Sequence, residues 1–225
     1  MNLKNKILLF STFIIFHIPI NAKPLSIVID AGHGGSNKGV IFQNLVEKNL
    51  NLKIALRLQK LFSKHGNISV AMTRTDDTNI SLSDRVTFIE KINPDFFITI
   101  HFNSQVFLTK SRGFEIYYPA DDFSEKPEQY LSRFHKNNRS FAIGNFFKKQ
   151  YFKANLHNTW QLPFNRFTSK KIMLLQNTTK PGLLLEIAYL TSPEDRACIS
   201  NEQFFVDMVW FLYDTILEYT KQQKG

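Results

Sequence analysis

The sequence predicts one α/β domain of three layers: a mostly parallel sheet of about six strands with helices on both faces. Two observations predict it. Short runs that are almost continuously apolar and rich in β-branched residues alternate with segments whose apolar positions recur at helical spacing. Buried parallel strands joined by crossover helices produce that alternation. The chain has 225 residues, 43% hydrophobic and 21% charged. That is enough for one such core, and it excludes whole-chain disorder.

The elements follow in order. Leu25 to Ile29 reads as a buried strand delivering the turn-rich Asp30-Ala31-Gly32-His33-Gly34-Gly35. From Asn44 to His65, apolar residues at Leu50, Ile54, Leu58, Leu61 and Phe62 mark a helix that Gly66 stops. Ile68 to Met72 is a second strand. Ser81 to Ile92 suits a helix, with Ser83 as cap and Pro94 forbidding extension. Asp95 to Ile100 is a third strand, running into His101-Phe102-Asn103-Ser104, and Gly113 to Tyr118 a fourth. Residues 119–138 are polar and read as an exposed loop with at most a short helix. Ser140 to Leu156 is an aromatic-rich helix. Ile172 to Leu175 and Leu183 to Ile187 complete the strands, and Gln203 to Tyr219 is an amphipathic last helix. No linker divides the pattern, so one domain is expected from about 24 to 222.

Residues 1–22 are set apart. Lys4 and Lys6 precede a mostly apolar stretch from Ile7 to Ile20, and Ala22 offers a small residue at a cut. This is the three-part pattern of a secretory signal peptide, and the stretch is too short and too interrupted for a comfortable membrane span; an uncleaved anchor is the alternative. An exported protein, periplasmic or secreted to the envelope, is expected, with no stable span after processing. Lys and Arg exceed Asp and Glu by 28 to 19, but the cations are scattered. The excess allows attraction to a polyanion, whether nucleic acid, acidic lipid or an anionic envelope; the scatter argues against specific binding, and no nucleic-acid partner is expected. A single cysteine, Cys198, excludes an internal disulfide and a thiolate zinc site, so a metal site has to use His, Asp or Glu.

In open α/β sheets, ligands sit beyond the carboxyl ends of the strands. His33 follows the first strand and His101 the third. Glu186 ends the apolar Leu183-Leu184-Leu185, and Glu47 opens the first long helix, which returns to the same edge. Each residue alone has a structural explanation. Glu186 is the hardest to dismiss, because a carboxylate in an apolar strand costs several kcal/mol unless it is paired or ligating. Two His and one carboxylate suit catalytic zinc with an open position for water. A further free carboxylate beside that water is what metal-assisted amide hydrolysis needs.

These motifs resemble a known family. Ile27-Val28-Ile29-Asp30-Ala31-Gly32-His33-Gly34-Gly35, Glu47-Lys48, Ile98-Thr99-Ile100-His101-Phe102-Asn103 and Leu184-Leu185-Glu186-Ile187-Ala188-Tyr189-Leu190-Thr191-Ser192 are similar to the zinc-dependent N-acetylmuramoyl-L-alanine amidases, the catalytic domains of bacterial cell-separation amidases. Leu82-Ser83-Asp84-Arg85 and Gly113 to Tyr118 match more weakly. The resemblance spans about 25 to 220 and implies residues 23–225 as the catalytic domain. It implies one Zn²⁺ per chain on His33, Glu47 and His101, with Glu186 as the catalytic carboxylate. The bond implied is the amide between N-acetylmuramic acid and the L-alanine of the stem peptide, with peptidoglycan as substrate. Asn103 is expected either to bind substrate or to hold the His101 loop. The family usually has Asp at Asn37 and often Ala at Phe102; the 22 Phe read mostly as core, with Phe102 either core or at the border of a substrate groove. A monomer is expected, with an activator protein left open. The short stretch from Tyr118 to Arg139 argues against the helical plug of some relatives.

Two other readings stay in view: a zinc peptidase or carboxypeptidase acting on wall peptides, and a non-catalytic basic envelope-binding module. A serine carboxypeptidase of the penicillin-binding type is disfavoured, because no Ser-x-x-Lys occurs.

Overall fold

The structure, a computed structural model, describes residues 24–105, 111–121 and 127–223. The expected signal peptide lies outside the described residues. The elements are β1 (Leu25–Ala31), β2 (Ile41–Phe42), β3 (Leu45–Val46), α1 (Glu47–Phe62), β4 (Ile68–Met72), α2 (Leu82–Ile92), β5 (Phe96–Asn103) and β6 (Phe114–Pro119). There follow α3 (Pro127–Lys153), α4 (Leu156–Thr159), β7 (Phe164–Lys170), α5 (Met173–Asn177), β8 (Gly182–Tyr189), α6 (Pro193–Ile199) and α7 (Glu202–Gln222).

Six strands form one sheet in the order β4-β1-β5-β8-β6-β7. The first four run parallel. β6 is antiparallel to β8, and β7 runs parallel to β6. The carboxyl ends of β1, β5 and β8 therefore share one rim with the amino ends of β6 and β7.

Alternation along each strand divides the side chains between two faces. Ile27, Ile29, Ile98, Ile100, Leu183 and Leu185 pack under α1, α3, α6 and α7 in the larger core. Val28, Phe97, Tyr117 and Leu184 pack under α2 and α5 in a smaller one, with Ile89, Leu174 and Leu175. Burying each such side chain contributes roughly 1.5–3 kcal/mol. Towards the rim the same face carries Asp30, Thr99, His101 and Glu186 instead of apolar side chains.

Several expectations are corrected. Ile172 to Leu175 is not a strand: α5 occupies Met173–Asn177. The missing strand is β7, a half-exposed edge strand with polar residues between its Phe side chains. The loop expected over 119–138 gives way to α3 at Pro127, where a proline suits the first helical turn. Ser81, not Ser83, caps α2, its side chain accepting from Asp84 N–H, and Asn93 ends the helix in the left-handed region at φ 53°. Of the two readings of Phe102 the core one holds: it is buried in the larger core. Among the described residues no helix is long and apolar enough to cross a membrane.

Candidate active site

β5 continues past Ile100, so His101 and Asn103 are strand residues rather than loop residues. In β8, Glu186 lies three residues before the strand's end, directly opposite His101. Glu47 is the first residue of α1, whose helix begins where the β2–β3 hairpin ends. The backbone there is reciprocal. Glu47 N–H donates to Val40 O at 2.9 Å, and Val40 N–H donates to Glu47 Oε2 at 2.8 Å. One carboxylate oxygen is thereby spent on its own loop, and Oε1 is aimed at the rim.

Glu47 Oε1 lies 3.1 Å from His33 Nε2 and 2.8 Å from His101 Nδ1. The two imidazole centroids are 4.8 Å apart, nearly perpendicular. The three residues form a group that can hold a metal ion. Three donors each about 2.1 Å from one ion lie a little over 3 Å from one another, and the two His–Glu separations are near that. The donor set fits zinc chemistry. Asn37 does here what an Asp can do: its Oδ1 accepts from Gly39 N–H at 3.2 Å and faces His33 Nδ1 at 2.9 Å. An accepting Oδ1 puts the hydrogen on Nδ1 and leaves the Nε2 lone pair for the ion.

The loop carrying His33 is held from below. His33 has φ 62°, in the left-handed region that few side chains adopt. Arg74 donates from Nε to Ala31 O at 2.8 Å and from Nη2 to Gly32 O at 3.0 Å. Arg85 donates from Nη2 to His33 O at 2.5 Å and pairs with the buried Asp30. Thr73 and Thr99 hydroxyls donate to Asp30 at 2.5 and 2.6 Å. Asn51 donates to Gly32 O at 3.0 Å from the second turn of α1. Gly32 itself is required by close approach, since a Cβ there would overlap the His101 ring.

Burial alone would push Glu47 up. The hydrogen bonds from His101 and His33 outweigh it and hold the carboxyl well below the usual range. Burial works against a charged His101, but its bond to Glu47, followed by the charge of Glu186, moves it up instead. Glu186 goes the other way. Burial, opposed by His101 and reinforced by the charges of Glu47 and Glu115, pushes it up to about 7. Its Oε2 is buried and has no hydrogen-bond partner among the described residues. A cleft of about 250 Å³ opens beside His33 and His101, with Ile80, Leu82, Met173 and Leu184 in its walls.

The structure thus gathers His33, Glu47, His101 and Glu186 at one rim. Asn103 lies beside them with both ends of its amide engaged: Nδ2 donates to Glu115 Oε2 at 2.9 Å, and Oδ1 accepts from Ser104 N–H at 2.8 Å. Sequence reasoning missed Glu115, which is fully buried next to Glu186. The signal was present, a carboxylate in the apolar strand Phe114-Glu115-Ile116-Tyr117. It also missed the roles of Asp30, Arg74 and Arg85, which no local spacing marks.

A ligand-type triad at the carboxyl rim of a parallel sheet, with a free carboxylate one strand away, defines a candidate metallohydrolase. Comparison with known proteins carries this further. The profile of the N-acetylmuramoyl-L-alanine amidase family matches residues 27–218. The germination-specific N-acetylmuramoyl-L-alanine amidase of Bacillus subtilis is 25% identical over 219 residues, 90% of this chain and 81% of that protein. The probable cell wall amidase LytH of Staphylococcus aureus is 29% identical over 187 residues, 82% of this chain; the match spans 54% of that relative's length. Among solved structures, the catalytic domain of CwlV, an N-acetylmuramoyl-L-alanine amidase from Bacillus (Paenibacillus) polymyxa var. colistinus, superposes with a TM-score of 0.72 at 28% identity, covering 88% of this chain and 98% of that one. The chain belongs to the N-acetylmuramoyl-L-alanine amidase family. It is an amide hydrolase of peptidoglycan, and its bond is the one between N-acetylmuramic acid and L-alanine.

Proposed function

We propose that this chain is an exported amidase that holds one zinc ion on His33, Glu47 and His101 and moves protons with Glu186. When bound, the ion supplies an acidified water and polarises the scissile carbonyl. Glu186 takes the water proton on its unpartnered Oε2 and hands it to the nitrogen of L-alanine as the C–N bond breaks. The products are the muramyl carboxylic acid and a free peptide amine. In the metal-free chain burial pushes this carboxyl up to about 7, which makes it a stronger proton acceptor than an exposed glutamate. Asn37 fixes the tautomer of His33, and the arginines below fix its backbone, so that the ligands are oriented before substrate arrives. Asn103, bonded at both ends, holds the end of β5 just past His101.

One observation carries this reading: a buried, unpartnered carboxylate oxygen directly across the ladder from a ligand-type histidine. The test is digestion of isolated sacculi by the purified protein, with zinc and then with chelator, and identification of products by mass. Glycan stripped of intact stem peptides, formed only with metal, is the expected result. Released D-alanine or shortened peptides point instead to a peptidase.

A further inference from the structure

The row that contains the proposed base continues past it. His101, Glu186, Glu115 and Arg166 face one another in register across β5, β8, β6 and β7. Strands are spaced about 4.8 Å apart, so Arg166 stands about 10 Å from Glu186, on the side away from the ligand triad. Its side chain is 55% exposed, and its Nε is 3.9 Å from Glu115 Oε1, too far for a hydrogen bond. Glu115 is already satisfied. Tyr117 OH and Asn103 Nδ2 donate to Oε2 at 2.6 and 2.9 Å, and Asn165 Nδ2 and Tyr189 OH donate to Oε1 at 2.5 and 2.8 Å. Arg166 makes no hydrogen bond to the described residues, so its planar fork of donors is open at the rim. Lys170 lies on the same side of β7, with Nζ 4.7 Å from the centre of the Tyr117 ring, and its charge reaches Glu186.

The direction of the substrate follows from the chemistry. A base that protonates the leaving nitrogen has that nitrogen on its own side of the ion. The peptide that owns the nitrogen then continues over β6 towards β7. An extended peptide advances about 3.3–3.6 Å per residue, so about 10 Å is reached by its second or third residue. We propose that Arg166 is a subsite for a carboxylate on the leaving peptide two or three residues from the cut amide, with Lys170, four residues along β7, adding positive charge to the same face. This rests on Glu186 being the proton carrier.

The test uses the full chain and synthetic N-acetylmuramoyl peptides in which the carboxyl group of the second residue, and separately of the third, is free or amidated. The parent enzyme is expected to prefer the free acid at one of these positions. Charge-assisted hydrogen bonds of this kind are worth roughly tenfold or more, so Arg166→Gln should cut the acid-to-amide ratio of kcat/KM by about that factor, mainly through KM. Arg166→Lys should restore part of it. No preference at either position, or a ratio unchanged in Arg166→Gln, overturns the proposal. Glu186→Ala is run alongside. If it stays within tenfold of the parent, the proton-carrier reading falls and the subsite with it. If it is inactive while the ratio survives Arg166→Gln, the subsite alone falls.

Discussion

Glu186 stands directly opposite His101 across the β5–β8 ladder, on the sheet face that carries the smaller core. One of its oxygens is buried without a partner among the described residues. An unsatisfied buried polar atom costs about 1–3 kcal/mol. The fold keeps that cost beside three ligand-type side chains, where a proton carrier has a use for a free oxygen.

The first prediction concerns pH. In the metal-free protein the Glu186 carboxyl is pushed from an ordinary 4.5 up to about 7. Between those values the folded chain keeps a proton that the unfolded chain gives up, so stability falls as pH rises through the window. Glu186→Gln has no proton to lose. Chelated, it should melt about 5–10 °C above the parent at pH 8, reflecting about 2–3 kcal/mol, with the gap closing by pH 4. Calorimetry across that range checks this, and a gap that does not change with pH would remove the assignment of the shift to this carboxyl.

A second concerns the metal. The parent should carry about one zinc per chain, and chelator should lower its melting temperature, because a ligand at 1,000 times its dissociation constant contributes about 4 kcal/mol. Glu47→Ala should abolish both the bound zinc and the response to chelator. Elemental analysis showing zinc retained in Glu47→Ala would place the ion elsewhere.

A third tests the brace under His33. Arg85→Ala leaves Asp30, 1% exposed, with only its threonine partners. Breaking a buried ion pair costs about 3–5 kcal/mol, which for a domain of this size is about 10 °C or more in Tm. Zinc affinity should fall too, since Arg85 also holds His33 O. A variant that melts like the parent would show that the pair does not support the loop.

A fourth uses close approach. Gly32→Ala puts a methyl group into the His101 ring. The ring must turn, so zinc affinity and turnover should drop together by at least tenfold while the fold persists. Normal zinc binding in Gly32→Ala would mean the ring position in β5 is not what sets the site.

The legible parts of the fold were those that are apolar and locally bounded. β1, β5 and β8 are buried on both faces, so their runs stand out; β4, a half-exposed edge strand, still alternates Ile68, Val70 and Met72. β7 did not, because an edge strand with Asn165, Arg166 and Ser169 facing water carries no such run. The four-residue apolar run Ile172 to Leu175 fits a strand or a helix equally, and only tertiary contacts decide: Lys136 Nζ, from α3, donates to Leu175 O and Thr178 O at 2.9 and 3.0 Å. At the site, the four titratable side chains were readable because each follows or interrupts an apolar element. The Asp30–Arg85 pair joins residues 55 apart in sequence, and no periodicity reports it. Glu115 carried the same signal as Glu186, but its four donors, contributed by β5, β6, β7 and β8, make it a filled site rather than an open one.

The most direct test of the whole account is Glu186→Ala, assayed on N-acetylmuramoyl peptide with its zinc content measured in the same preparation. Loss of a general acid–base group predicts a fall in kcat of about 10² to 10⁴ with one zinc still bound. Turnover within tenfold of the parent, at full zinc occupancy, would contradict it.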